Sequence, residues 1–398
     1  MTDEEILNLP LMQNTEKLAA VRYFVLANQY ITMYKPLLAA IGSLRTMTLV
    51  LDHGHCAISP LVLAGVANIM IASPGGMELG MRMSRLSLEM LSRSPNRAWL
   101  PRTYLALHGF SKPFTQSTRH SLEPVMEAYR VGLSAGDIES SMYLAGLYAG
   151  LAIYSSIPLK QLRRDLERFL RLIQYHNQHS MSLFMRPNLQ YVLNVLGLST
   201  NPVVLSGDAM DEDALLSLAI ERKTTLVMSV VNVYKLQLCG HFQEFEMGRK
   251  LVHVISQYKA GTFAPYIRIA HLLHSGIVLT SSGRRLDRWA AKRCLKLLRK
   301  RAKWSKDYVT NKVLLLEAVI LEAEGHFDED KYRESVRFAR ADFLWSEAGM
   351  ANEYWAQALV TRGRLEDARS TFSQAVEDYE KWEADGLIQR VRKKMEAL

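Results

Sequence analysis

Apolar residues recur at intervals of three and four along almost the whole chain, while alternating strand patterns are absent and β-branched runs are short. Such a sequence can bury its apolar positions as stripes on helices, so it predicts an all-α fold. The 398 residues are 48% hydrophobic and 22% charged, which suffices for a large core and argues against disorder. A chain of this length ordinarily divides into two or three domains, yet no tether of flexible composition interrupts the helical pattern. The expectation is a single helical repeat array over residues 1–398, with an N-terminal half at 1–200 and a C-terminal half at 211–398. Between the halves lies "LSTNPVVLSGDAMDED" (Leu198–Asp213), a Pro-, Gly- and Asp-containing loop and the candidate hinge of the array.

The segment "NEYWAQALVTRGRLEDARSTFSQAVEDYEKW" defines the repeat unit. Its first part places Trp355, Ala356 and Leu359 on an inner face, with Gly363 at the turn. Its second part places Leu365, Ala368, Phe372, Ala375, Val376 and Tyr379 on one face at helical spacing. Small residues at Ala356, Ala368 and Ala375 let a neighbouring helix approach closely, and Phe372 fills the gap beside them. Gly363 ends the first helix in a conformation that suits glycine. This is the pattern of a tetratricopeptide-type hairpin. It recurs as "AVILEAEGHF" (Ala318, Leu321, Gly325, Phe327) and more weakly as "VYKLQLCGHF" (Leu236, Gly240, Phe242). The spacing drifts, with 38 residues from Ala318 to Ala356 and 85 from Gly240 to Gly325. The expected fold is thus a superhelix of degenerate hairpins, clearest at 311–382. Two more helix–turn–helix candidates turn at Gly136 and at Gly75 and Gly76.

These residues resemble a known family segment. It is the helical region that follows the AAA-type ATPase module in large multidomain signalling kinases and precedes a GAF and histidine-kinase region. The stretches that carry the resemblance are "EEILNLPLMQNTEKLAAVR", "EPVMEAYRVGLSAGDIESSMYLAG", "LNVLGLSTNPVVLSGDAMDED", "RRLDRWAAKRCLKLLRKRAKW" and the final "NEYWAQALVTRGRLEDARSTFSQAVEDYEKWEADGLIQRV", in that order. The resemblance implies a scaffold that couples ATPase, GAF or kinase modules, in cis or in trans. It also marks what the chain lacks. There is no G-x-x-x-x-G-K-[ST], the glycines of "ASPGGMELGM" lack the lysine needed at the phosphates, and the H-R-D and D-F-G signatures are missing. The chain is read as non-catalytic and without cofactor, either a stand-alone relative of that middle segment or part of a longer ATP-dependent kinase.

Other chemistry is thinly signalled. Cys56, Cys239 and Cys294 are few, odd in number and far apart, which fits core cysteines in a reduced compartment. The acidic start "MTDEEILNLP" lacks an apolar signal core, and "SPLVLAGVANIMIAS" is too short to cross a bilayer, so the reading is a cytoplasmic chain with no transmembrane segment. His176 and His179, and His271 and His274, stand three apart on expected helices, but neither pair has a Cys or carboxylate nearby to complete a metal site. His53, His55, Asp52 and Cys56 are adjacent in sequence, which is poor evidence for a Cys/His nucleophile. Asp211, Glu212 and Asp213 suit a helix N-terminus.

Charge singles out one helix. Eleven Lys and Arg stand against Asp287 alone between Arg284 and Lys306, more than the net charge of +9 for the whole chain. Arg285, Arg288, Lys292, Lys296, Arg299 and Lys303 fall on one stripe, opposite Leu286, Ala290, Cys294, Leu297 and Trp304. A solvated outer face explains such a stripe, and a docking surface for an acidic partner is the functional alternative. Anionic lipid and nucleic acid rank lower, nucleic acid the more so because few aromatics lie among the charges to stack bases.

Overall fold

The computed structural model describes residues 1–94, 97–257 and 264–398. The fold is all-α: twenty α-helices occur among the described residues, and the only extended pairing there is an isolated bridge between Leu11 and His55. Contacts gather the chain into two compact units, Met1–Pro113 with Glu123–Leu147, and Phe114–Leu122 with Tyr148–Leu398. The expected halves, 1–200 and 211–398, divide the chain elsewhere.

The first unit contains α1 (Asp3–Leu7), α2 (Thr15–Tyr34), α3 (Pro36–His53), α4 (Ser59–Ala72), α5 (Met77–Arg93) and α6 (Leu100–Ala106); α7 (Leu122–Ser134) and α8 (Ile138–Ile153) follow. The apolar "SPLVLAGVANIMIAS" is α4, a buried helix that packs on α3 and α5 in a core that includes Val21, Val50, Leu63, Val66 and Leu86. The turn between α4 and α5 rests on Gly75, whose φ of 75° lies where side chains with a Cβ are strained. Gly136, at φ 76°, makes the corresponding turn between α7 and α8.

The second unit contains α9 (Leu159–Tyr175), α10 (His179–Val195), α11 (Glu212–Glu221), α12 (Thr225–Phe242), α13 (Phe245–Ser256), α14 (Pro265–Ser281), α15 (Arg285–Ala302), α16 (Lys306–Ala323), α17 (Glu329–Ala341), α18 (Trp345–Val360), α19 (Leu365–Trp382) and α20 (Asp385–Glu396). From α12 to α19 these helices form four consecutive hairpins. The first helix of each packs on its own partner and on the first helix of the next hairpin, α12 on α14, α14 on α16 and α16 on α18. Burial divides accordingly. Fourteen of the seventeen residues of α14 and twelve of the sixteen of α18 are buried, against three of eighteen in α15. The first helices α12, α14 and α18 are covered on nearly every side, α16 along half its residues, and the second helices α13, α15 and α17 on one stripe.

The last complete hairpin follows the sequence pattern closely. Ala356, Ala368 and Ala375 are fully buried, with Leu359, Phe372 and Tyr379 beside them. Gly363 takes φ 73° and the amide of Arg364 donates to the carbonyl of Leu359 at 3.1 Å, closing the helix end. In the preceding hairpin Gly325 does the same at φ 85°, Ala318 is buried and Leu321 half-buried. Leu365, placed on the inner face by periodicity, is instead 39% exposed at the first turn of α19. Asp378 of α19 is wholly buried. It accepts from the Arg340 guanidinium of α17 at 2.9 Å and the Asn352 amide of α18 at 2.9 Å, so one carboxylate joins three helices.

Two expectations change. Gly240 lies inside α12 rather than at its turn. The turn falls at Gln243, in the left-handed region at φ 63°, and Gly240 serves packing instead: a Cβ there would sit 2.3 Å from Nδ1 of His274. The loop Leu198–Asp213 is not built as a hinge. Asn194 donates to the carbonyls of Val204 at 2.7 Å and Pro202 at 3.0 Å, Gln190 accepts from the amide of Ala209 at 3.1 Å, and Val203 and Leu205 are buried. A loop whose backbone is bonded into the core has little freedom to bend.

A close helix approach lies at Gly349 of α18, where a Cβ would lie 2.5 Å from Cε1 of the buried Tyr379 ring. Gly349→Ala is therefore expected to destabilise the chain by roughly 1–3 kcal/mol, since the ring cannot retreat without shifting α19. Gly363→Ala meets open space and is opposed only by its positive φ, about 1 kcal/mol. Urea denaturation of the two variants should rank Gly349→Ala as the more damaging; equal midpoints would contradict the close α18–α19 contact.

Candidate functional site

The basic stripe maps to α15, with Lys303 at its C-cap. Arg285, Lys292, Lys296, Arg299 and Lys303 are exposed and Arg288 is half-buried. The opposite face is rotated from its expected place. Ala291, Leu295 and Leu298 face the core, Ala290, Cys294 and Leu297 are half-buried beside them, and Leu286 and Trp304 are exposed. The shift follows from packing between α14 and α16, which selects the stripe Ala291–Leu295–Leu298 over its neighbour. Two cations of the stripe are held by α16, Lys292 by Glu324 at 2.6 Å and Arg299 by Glu317 at 3.0 Å. Arg301, on the inner side, stacks its guanidinium 3.6 Å from the centroid of the Phe114 ring.

Inside the second unit the first helices enclose a polar pocket that the sequence did not signal. Tyr191 of α10, Gln237 and His241 of α12, His274 of α14, Lys312 of α16, Glu347 of α18 and Trp382 of α19 line a cavity of about 20 Å³, room for a single water molecule. Lys312, 2% exposed, pairs with Glu347 at 3.1 Å, donates to the carbonyl of Tyr308 at 3.0 Å and lies 4.1 Å from the Tyr308 ring centroid. Ser346 bonds Glu347 and faces the Ser156 hydroxyl at 3.2 Å. His241 and His274 meet edge to face at 5.0 Å between ring centroids, and their Nδ1 atoms have no protein partner among the described residues, nor has the Trp382 indole nitrogen. An apolar-to-polar change at these positions reads in sequence only as isolated polar residues in hydrophobic helices. A second, open recess of about 200 Å³ lies between the ends of α14, α16 and α18, lined by Phe245, Val319, Tyr332, Tyr354 and Gln357 among others.

A third polar cluster holds the final helix. Glu353 of α18, buried, accepts from Arg390 at 2.5 Å and Lys394 at 3.0 Å of α20, and from the Tyr379 hydroxyl at 3.3 Å. Burial, and then the Arg390 charge set against the attraction of Glu353, leaves the Lys394 ammonium with a lowered pKa.

The remaining candidates do not converge. His176 caps α9 and His179 begins α10, with the chain turning between them at Asn177, φ 55°, so they do not share a helix. His271 and His274 do share α14. Cys56 lies 3.6 Å from the Ser59 hydroxyl, and the backbone of its neighbour His55 bonds Pro10 and Met12. Burial pushes the Cys239 thiol up to about 12 and that of Cys294 to about 11, which makes both poor nucleophiles. Asp211 is the N-cap of α11, accepting from the amide of Ala214 at 2.8 Å, and Glu212 binds Lys235 and the amide of Leu205. Among the described residues no three His, Cys, Asp or Glu side chains come together in a way that could hold a metal ion. No helix among them is long and apolar enough to cross a membrane. No family model matches the chain, and no curated protein is significantly similar to it in sequence.

Burial holds His241 at about 3, with Arg390 adding to the effect, and His271 at about 4, with Arg268 adding. It drives His274 well below the ordinary 6.5, with His241 and Lys312 adding. All three are neutral bases in the folded chain that regain protons on unfolding. Stability is thus intact above about pH 6.5 and falls as the pH drops from there toward the folded values. Each histidine contributes up to about 1.4 kcal/mol per pH unit to that slope. Replacing His274 with Gln should remove about one proton's worth of the slope in urea denaturation between about pH 6 and pH 5; an unaltered slope would show that His274 is not buried as a neutral base.

Proposed function

We propose that the chain is a protein-interaction and signal-relay scaffold, joining partner proteins along stacked helical hairpins and catalysing no reaction of its own. The observation that carries this reading is the first-helix to first-helix stacking of α12, α14, α16 and α18. It leaves the second helices α13, α15 and α17 buried on one stripe and free along the rest. Stacked hairpins of this kind offer continuous surfaces to extended or helical segments of partners. The resemblance to the helical region of multidomain signalling kinases supplies the class of partner: ATPase, GAF or kinase modules, on the same polypeptide or another.

The absence of a phosphate-binding loop and of kinase signatures from the sequence supports a non-catalytic part. Isothermal titration should accordingly register no ATP binding at micromolar concentration. Saturable binding lost on mutating a single local site would overturn the reading. A direct test is capture of purified ATPase, GAF and histidine-kinase modules of the resembling kinases by the immobilised chain; capture of none of them would remove the relay role.

A further inference from the structure

On α15 two large apolar side chains stand in solvent among the cations. Leu286 is 82% and Trp289 65% exposed, three residues apart and therefore on one edge of the helix. Exposed single apolar residues are ordinary, but this pair lies within the most cationic segment of the chain. Arg285 precedes it and Arg293 follows one turn after Trp289, both exposed. Among the described residues no carboxylate pairs with Arg285, Arg293 or Lys296, whereas Lys292 and Arg299 are already held by Glu324 and Glu317. The stripe is therefore not uniform. Among the described residues of α15, Arg285 and Arg293 are the exposed, unpaired cations nearest Leu286 and Trp289, and further exposed cations, Lys296, Lys300 and Lys303, continue along the helix.

We propose that this end of α15 docks an acidic protein segment that presents apolar residues to Leu286 and Trp289 and carboxylates to Arg285 and Arg293. The inference rests on the scaffold reading and names the chemistry of the partner. Tryptophan and arginine are the residues that carry most binding energy at protein interfaces, in an apolar centre ringed by charge. The charge balance fits the same partner, since a positive patch complements a negative one and speeds its encounter. A lipid surface fits less well. An in-plane membrane helix needs an apolar stripe along its length, and the stripe of α15, Ala291, Leu295 and Leu298, is buried in its hairpin, which leaves two side chains to insert.

The test uses the full chain and a fluorescein-labelled synthetic helix of glutamate and leucine, followed by anisotropy, with polyglutamate, phosphatidylserine vesicles and random-sequence duplex DNA as comparisons. The glutamate–leucine helix should bind more tightly than polyglutamate. Trp289→Ala should weaken it about tenfold or more, as expected of a central interface tryptophan. Arg285→Glu with Arg293→Glu should abolish its dependence on salt. Circular dichroism should be unaltered in every variant, because the substituted side chains are exposed. Unchanged affinity in Trp289→Ala, or tighter, Trp289-dependent binding to the vesicles or the DNA, would overturn the proposal. If peptide binding fails while the chain still captures a signalling module, this face is wrong and the scaffold stands; if the peptide binds and no module is captured, the face stands and the relay role falls.

Discussion

The second unit depends on one constraint: its first helices carry apolar residues on more sides than one partner can cover. A helix such as α14, buried along nearly all its length, cannot be stable in a lone hairpin, because its far side would face water. Coverage comes from α12 on one side and α16 on the other. Each hairpin therefore completes its neighbour, and stability passes along the stack as a series of interfaces rather than residing in one centre. Close approach is what makes this coverage effective. Glycines at 240, 276 and 349 stand where a Cβ would collide with His274, Leu316 and Tyr379 of the adjoining helix.

Polar groups buried in such a stack must be matched, and the matching specifies which helix sits beside which. Lys312 reaches Glu347 across α16 and α18, Asp378 gathers α17 and α18 to α19, and Glu353 receives two cations from α20. None of these pairs need add net stability, since removing two charges from water offsets most of their attraction. Breaking one of them is another matter, because the survivor is left charged and unpartnered in a dry interior. A hairpin slipped by one turn would strand every such group at once, which penalises the wrong register far more than the right one is favoured.

Sequence makes the outer helices legible and leaves the inner ones obscure, for a physical reason. A helix with one buried stripe writes that stripe as periodicity, which is why spacing alone places Ala368, Phe372 and Ala375. A helix buried all round writes no stripe. In α12 and α14 the pattern is almost uniformly apolar, so a glycine such as Gly240 reads as a turn when it is a contact. Gly325 and Gly363 read correctly as turns because they follow the helix rather than sit within it. The face of α15 is shifted because two stripes, one through Leu286 and Leu297 and one through Ala291, Leu295 and Leu298, are both compatible with helical spacing, and only the neighbours choose between them. The polar pocket has no signature in the sequence, since Gln237, His241, His274 and Lys312 come from three different helices and meet only through the stack.

The division of labour that results bears on where function can reside. Inner positions are largely committed: Lys312, Glu347, Glu353 and Asp378 belong to ion pairs and hydrogen bonds, and the cavity beside His241 and His274 admits a single water molecule. The outer helices are bound along one stripe and can vary elsewhere without disturbing the stack, so surface chemistry there is under no structural obligation. Most of α15 uses that freedom for solvated charge, and two of its cations reinforce the hairpin through Glu317 and Glu324. Leu286 and Trp289 do neither. They are the residues on this helix that neither packing nor solubility accounts for, and the proposed docking of an acidic, apolar segment would give an indole in water a use.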